Sequence, residues 1–141
     1  MSKLFSTHPR SNKEAVETLR DRRFIAARPL QFSFLELKSA EDVEQIFHIV
    51  RSQWLQSGMT GKELYDFAYK TAADLGWVLN MELTGHRLSE FPHTAYYDGT
   101  LAAVSIRPSP NLWVLEVQVR HATKPIGGFF EDLLLEDKDY I

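Results

Sequence analysis

Two apolar stripes at helical spacing, only a few residues apart, constrain this chain more than any other feature. Val43, Ile46, Phe47, Val50 and Trp54 recur every three or four residues, which predicts one amphipathic helix over residues 40–57. Ser39 stands where an N-cap belongs, and Glu41 and Asp42 come next in the first turn, where the helix dipole favours negative charge. Gly58 is expected to stop this helix. Thr60-Gly61-Lys62-Glu63 then matches a capping box. Leu64, Phe67, Ala68, Ala72 and Leu75 form the buried stripe of a second helix, which Gly76 closes. With so short a connection the two helices are expected to be packed neighbours.

Beyond Gly76 the chain becomes strand-like. Trp77-Val78-Leu79-Asn80-Met81-Glu82-Leu83 reads as a strand. Asp98-Gly99 has turn chemistry, and residues 107–111 form a proline-punctuated loop. Trp113, Leu115, Val117 and Val119 alternate with Val114, Glu116 and Gln118, a half-buried strand with Glu116 on its more polar face. After a turn over 125–128, residues 129–135 form a further strand that contains Glu131. Helix, helix, then antiparallel strands is an α+β order: two packed helices against a small, curved antiparallel sheet.

The first part of the chain is different. Up to Arg28 there are seven basic and three acidic residues, 7 − 3 = +4, and the remainder carries nine basic and sixteen acidic, 9 − 16 = −7. Residues 1–38 are therefore expected to be a basic arm, with a short helix over 12–23 and a strand over 31–37. Residues 39–141 are the body. Such an arm suits a polyanion or is simply a solvated tail. The net charge of −3 gives no case for bulk nucleic-acid binding.

At 141 residues the chain suits a single domain with a real core. It contains no cysteine, which excludes disulfides, thiolate metal sites and cysteine nucleophiles. Any metal must be held by His, Asp and Glu, which restricts it to zinc, manganese, iron or cobalt chemistry. No apolar run suits a signal peptide or a membrane span, so no membrane association is expected and a cytoplasmic location is the default.

Chemistry concentrates in Gly85-His86-Arg87-Leu88-Ser89-Glu90-Phe91-Pro92-His93. A glycine before His86 permits a sharp turn, and His93 comes directly after Pro92. Two histidines in a loop suit a structural or surface role as readily as a functional one. Their spacing does not match the helical pattern of zincins. Glu116 sits in an otherwise apolar strand, and Glu131 stands between Phe130 and Leu133 with Asp132 beside it. A charge in a buried strand is costly unless it is paired or binds a metal. Imidazole plus carboxylates is a normal hydrolytic ligand set. The alternative places both glutamates on the solvated face of a one-sided sheet, and the residues alone leave the two readings equal.

Residues 58–135 resemble the C-terminal half of the pita-bread metallopeptidases: aminopeptidase P, prolidase, methionine aminopeptidase and the non-metal relative creatinase. The resemblance lies in four segments in order. Gly58-Met59-Thr60-Gly61-Lys62-Glu63-Leu64 is similar to the turn and helix start of aminopeptidase P-like members. Gly85-His86 with Phe91-Pro92-His93 is similar to the histidine signature. Trp113-Val114-Leu115-Glu116 and Gly128-Phe129-Phe130-Glu131-Asp132 resemble the two carboxylate-bearing strands. The resemblance implies that His86, Glu116 and Glu131 are metal ligands, Glu131 bridging. It implies that Glu116 is also a general base and that His93 hydrogen-bonds the substrate. The implied activity is removal of an N-terminal residue from a peptide, with proline next to the scissile bond, using a divalent metal (Mn, Co, Zn or Fe).

The family also takes two aspartates from an upstream strand pair. Here Asp21, Asp42, Asp66 and Asp74 have no such strand pattern. Ser89 replaces a common glycine, and Arg87 puts a cation beside His86. The expectation is therefore a truncated or divergent metallopeptidase-like domain with at most a three-ligand site, holding one metal or none. The alternative is a non-catalytic binding or dimerisation module on the same fold. A half fold leaves a sheet edge open, which favours a homodimer or a covering partner.

Overall fold

The computed structural model describes residues 33–88 and 99–140. Helix α1 spans Phe34–Gln56 and α2 spans Gly61–Asp74. Among the described residues four strands come after these helices: β1 (Val78–Leu79), β2 (His86–Arg87), β3 (Trp113–Arg120) and β4 (Gly127–Leu133). Short 3₁₀ turns lie at Leu101–Ala103 and Asp137–Asp139. The pairings among these strands are antiparallel, and the class is α+β.

α1 begins earlier than its apolar stripe suggests. Ser33 accepts from the Glu36 N–H at 3.2 Å, and Glu36 accepts from the Ser33 N–H at 3.1 Å. This capping box gives the Ser33 N–H an acceptor and adds a side-chain acceptor to the Glu36 N–H, which also reaches the Ser33 carbonyl at 3.1 Å. The strand expected over 31–37 is corrected accordingly: residues 34–37 are helical, and 31–32 lie outside the described residues. Residues 34–38 thus belong to α1. Ser39, expected as the N-cap, is inside the helix, where its hydroxyl donates to the Glu36 carbonyl at 2.7 Å and lies 3.0 Å from the Gly127 carbonyl.

The stripe itself behaves as its spacing requires. Val43, Ile46, Phe47, Val50 and Trp54 are all fully buried, each burial worth on the order of 1.5–3 kcal/mol. They pack against β3 and β4, where Phe47 meets Phe130 with ring centroids 4.8 Å apart. α2 carries the expected capping box at Thr60 and Glu63 and buries Leu64, Tyr65, Ala68 and Ala72. Gly76 closes it at φ 86°, a conformation that favours glycine. The two helices pack on one another and on one face of the sheet.

β3 is the central strand. β4 runs along one edge over its whole length, from Val114↔Leu133 to Arg120↔Gly127. The other edge is shared by β1, paired at Val119 and Arg120, and β2, paired at Trp113 and Val114. The strand expected over 77–83 is therefore only two residues long. Asn80 explains the break: its side-chain oxygen accepts from the Glu82 N–H at 2.9 Å, a local turn that competes with the ladder. β4 in turn starts two residues earlier than expected. A Cβ at Gly127 would fall 2.5 Å from the Val119 carbonyl oxygen, and one at Gly128 2.6 Å from that of Ser39. The two glycines that read as turn residues instead let β3 and α1 approach the strand.

Candidate functional site

Register brings three of the candidate residues to one face of the sheet. Directly opposed residues of antiparallel strands project to the same side. His86 lies opposite Val114, and Glu116 lies opposite Glu131. Val114 and Glu116 are two positions apart on β3, so they share a side. Leu115, Val117 and Val119 point the other way, into the helix-covered core. His86, Glu116 and Glu131 thus stand on adjacent strands β2, β3 and β4, on the face turned away from the helices.

Their surroundings differ. His86 is exposed, while Glu116 and Glu131 are half-buried. Partial burial raises the Glu116 carboxyl above its ordinary value; the negative charge of Glu131 adds to the rise and His86 opposes it. Glu116 therefore responds electrostatically to both neighbours. Among the described residues, however, no three His, Asp or Glu side chains converge closely enough to hold a metal ion. The donor set is chemically suited to a divalent metal and shares one face, but the side chains do not close on a common point.

His93, with residues 89–98, lies outside the described residues. Asp66 and Asp74 are exposed on α2, as their helix positions imply. Asp42 has a structural task on the core side: it pairs with Lys38 and accepts from the Trp77 indole N–H at 2.7 Å. His121 is occupied in the β3–β4 turn, where Nδ1 accepts from the N–H groups of Thr123 and Lys124, both at 3.1 Å.

Tyr65 escapes the apolar-stripe reading of α2. Its side chain is fully buried, and its hydroxyl touches the backbone of Gly85 and of Glu116. Burial raises its phenol well above the ordinary value, so it stays neutral. The only signal in the sequence is a tyrosine at a helical position next to Leu64, where a polar tip needs a buried partner.

Comparison with protein-family models, with curated proteins and with solved structures finds no match to this chain.

Proposed function

We propose that this chain carries a metallopeptidase-like domain of the aminopeptidase P or Xaa-Pro peptidase type, built on the C-terminal half of a pita-bread fold, with an incomplete metal site. The observation that supports it is the common sheet face of His86, Glu116 and Glu131, with the two carboxylates in direct register. Imidazole nitrogen and carboxylate oxygen are ordinary ligands of zinc, manganese, iron or cobalt. When bound, such an ion polarises a peptide carbonyl and lowers the pKa of water.

The donors fit this role in chemistry and in strand placement, but their side chains do not enclose one point. Among this chain's own residues, Glu116 is the carboxyl suited to hold a proton at the face, because burial and Glu131 both favour its neutral form. The substrate-facing role of His93 rests on the resemblance alone.

Metal analysis of the purified chain tests the reading. Incubation with manganese, cobalt or zinc should leave one ion per chain, lost in His86→Ala and in Glu131→Ala. Absence of bound metal at saturation would refute it. Turnover of proline-containing peptides by this chain alone should be negligible, because Asp21, Asp42, Asp66 and Asp74 lack the strand pattern of the family's aspartate pair.

A second reading, a non-catalytic binding or dimerisation module, is favoured by the sheet edge. Among the described strands β4 pairs with β3 only, which leaves its outer edge open to a further strand. Sedimentation across a wide concentration range decides it: a concentration-dependent dimer supports this reading, and a monomer throughout rejects self-association.

A further inference from the structure

We infer that Tyr65 is the positioning residue of the candidate site, holding the segment that carries His86 in register with Glu116 through its hydroxyl. The inference rests on the reading that His86 and Glu116 act together. The edge of the sheet is interrupted between β1 and β2. On β3, residues 114, 116 and 118 direct their main-chain groups toward this broken edge: the Gln118 carbonyl accepts from the Asn80 N–H at 2.8 Å, and Val114 pairs with His86. Glu116 lies between them, opposite the break. An N–H and a carbonyl left there without partners would be costly.

The Tyr65 hydroxyl takes both. It donates to the Glu116 carbonyl at 2.7 Å and lies 3.2 Å from the Glu116 N–H, which donates to it. It also accepts from the Gly85 N–H at 2.7 Å. One donor and two acceptor positions are all used. The hydroxyl therefore substitutes for the missing strand residue and ties the residue before His86 to the residue that bears the second ligand. Gly85 is fixed on its other side too, since a Cβ there would fall 1.8 Å from the Val114 carbonyl oxygen. Tyr65 touches only main-chain groups at this point, so its role is to position and not to react.

Tyr65→Phe removes the hydroxyl and keeps the ring. Amide hydrogen exchange by NMR is the readout, with Phe47→Leu as a control that loosens the core away from the break. In Tyr65→Phe the amides of Gly85 and Glu116 should exchange about tenfold faster, and the cross-strand contact between His86 and Val114 should weaken. The amides of Leu115 and Val117, which face β4, should keep their protection. Phe47→Leu should produce no such selective change. Manganese affinity should fall about tenfold in Tyr65→Phe and stay unchanged in the control. Unchanged exchange at Gly85 and Glu116, or equal loosening in both variants, would overturn the positioning role. A wild-type chain that binds no manganese would sink the metal reading, and the exchange comparison would still decide on Tyr65. Should Tyr65→Phe not fold, the wild-type chain decides: joint exchange of the Gly85 and Glu116 amides supports the role, and free exchange of Gly85 beside a protected Glu116 refutes it.

Discussion

Glu116 and Glu131 stand directly opposite each other across β3 and β4, both on the sheet face turned away from the helices. Like charges in this relation repel at a distance where water screens them only in part. The neighbouring histidine, His86, offsets part of the effect at Glu116. A sheet does not need such a pair for its own stability, which makes the face chemically distinctive.

The pair should give stability a pH dependence of known sign. The Glu116 carboxyl is raised in the folded chain, so between its unfolded and folded values the folded state binds more protons than the unfolded state. This group's contribution is favourable below that window and is lost as pH rises through it. Glu131→Gln removes the opposing charge and should stabilise the chain by roughly 0.2–1 kcal/mol at neutral pH. Urea denaturation at pH 7 and at pH 4 checks it: the gain should be larger at pH 7, and an equal or smaller gain there would contradict the assignment.

Gly85→Ala should detach the short edge strand. The new methyl would fall 1.8 Å from the Val114 carbonyl oxygen, which the backbone must move to relieve, at a cost of about 1–3 kcal/mol. Amide exchange should show His86, paired with Val114, and Leu88, whose N–H donates to the Leu112 carbonyl at 2.8 Å, losing protection while the β3–β4 ladder keeps it.

Both helices should lose stability when their caps are removed. Ser33→Ala and Thr60→Ala each break one capping box and should each cost about 1 kcal/mol in chemical denaturation. The caps belong to different helices and share no partner, so the double variant should be close to additive. No effect at Ser33 would argue against the early start of α1.

Asp42→Ala leaves the Trp77 indole N–H without its acceptor in a buried setting and removes the partner of Lys38. The expected loss is about 1–3 kcal/mol, with a change in tryptophan fluorescence of the folded chain as the local signature.

Local interactions are the legible ones in this chain. The stripes from Val43 to Trp54 and from Leu64 to Ala72 announce helices because their spacing reports burial directly, and the Thr60–Glu63 box marks a start within four residues. The Ser33–Glu36 box is equally local, but the strand expected over 31–37 overlaps it and masks it. β2 is not legible, because a two-residue strand at His86 and Arg87 exists only through its register with β3. The face of Glu116 can be read from alternation along its own strand, whereas its opposition to Glu131 depends on a hairpin register that starts at Arg120 and Gly127, inside what reads as a turn. Tyr65 is hidden for the same kind of reason: its hydroxyl partners lie 20 and 51 positions away in the chain.

Paramagnetic broadening tests most directly whether the face bearing His86, Glu116 and Glu131 takes a divalent metal. Sub-stoichiometric manganese is titrated into isotopically labelled chain, and the loss of each backbone signal is monitored. The loss should centre on His86, Glu116 and Glu131 and their strand neighbours, and it should be abolished in His86→Ala. Broadening centred on the acidic C-terminal turn at Asp137–Asp139, or none at all, would contradict the claim.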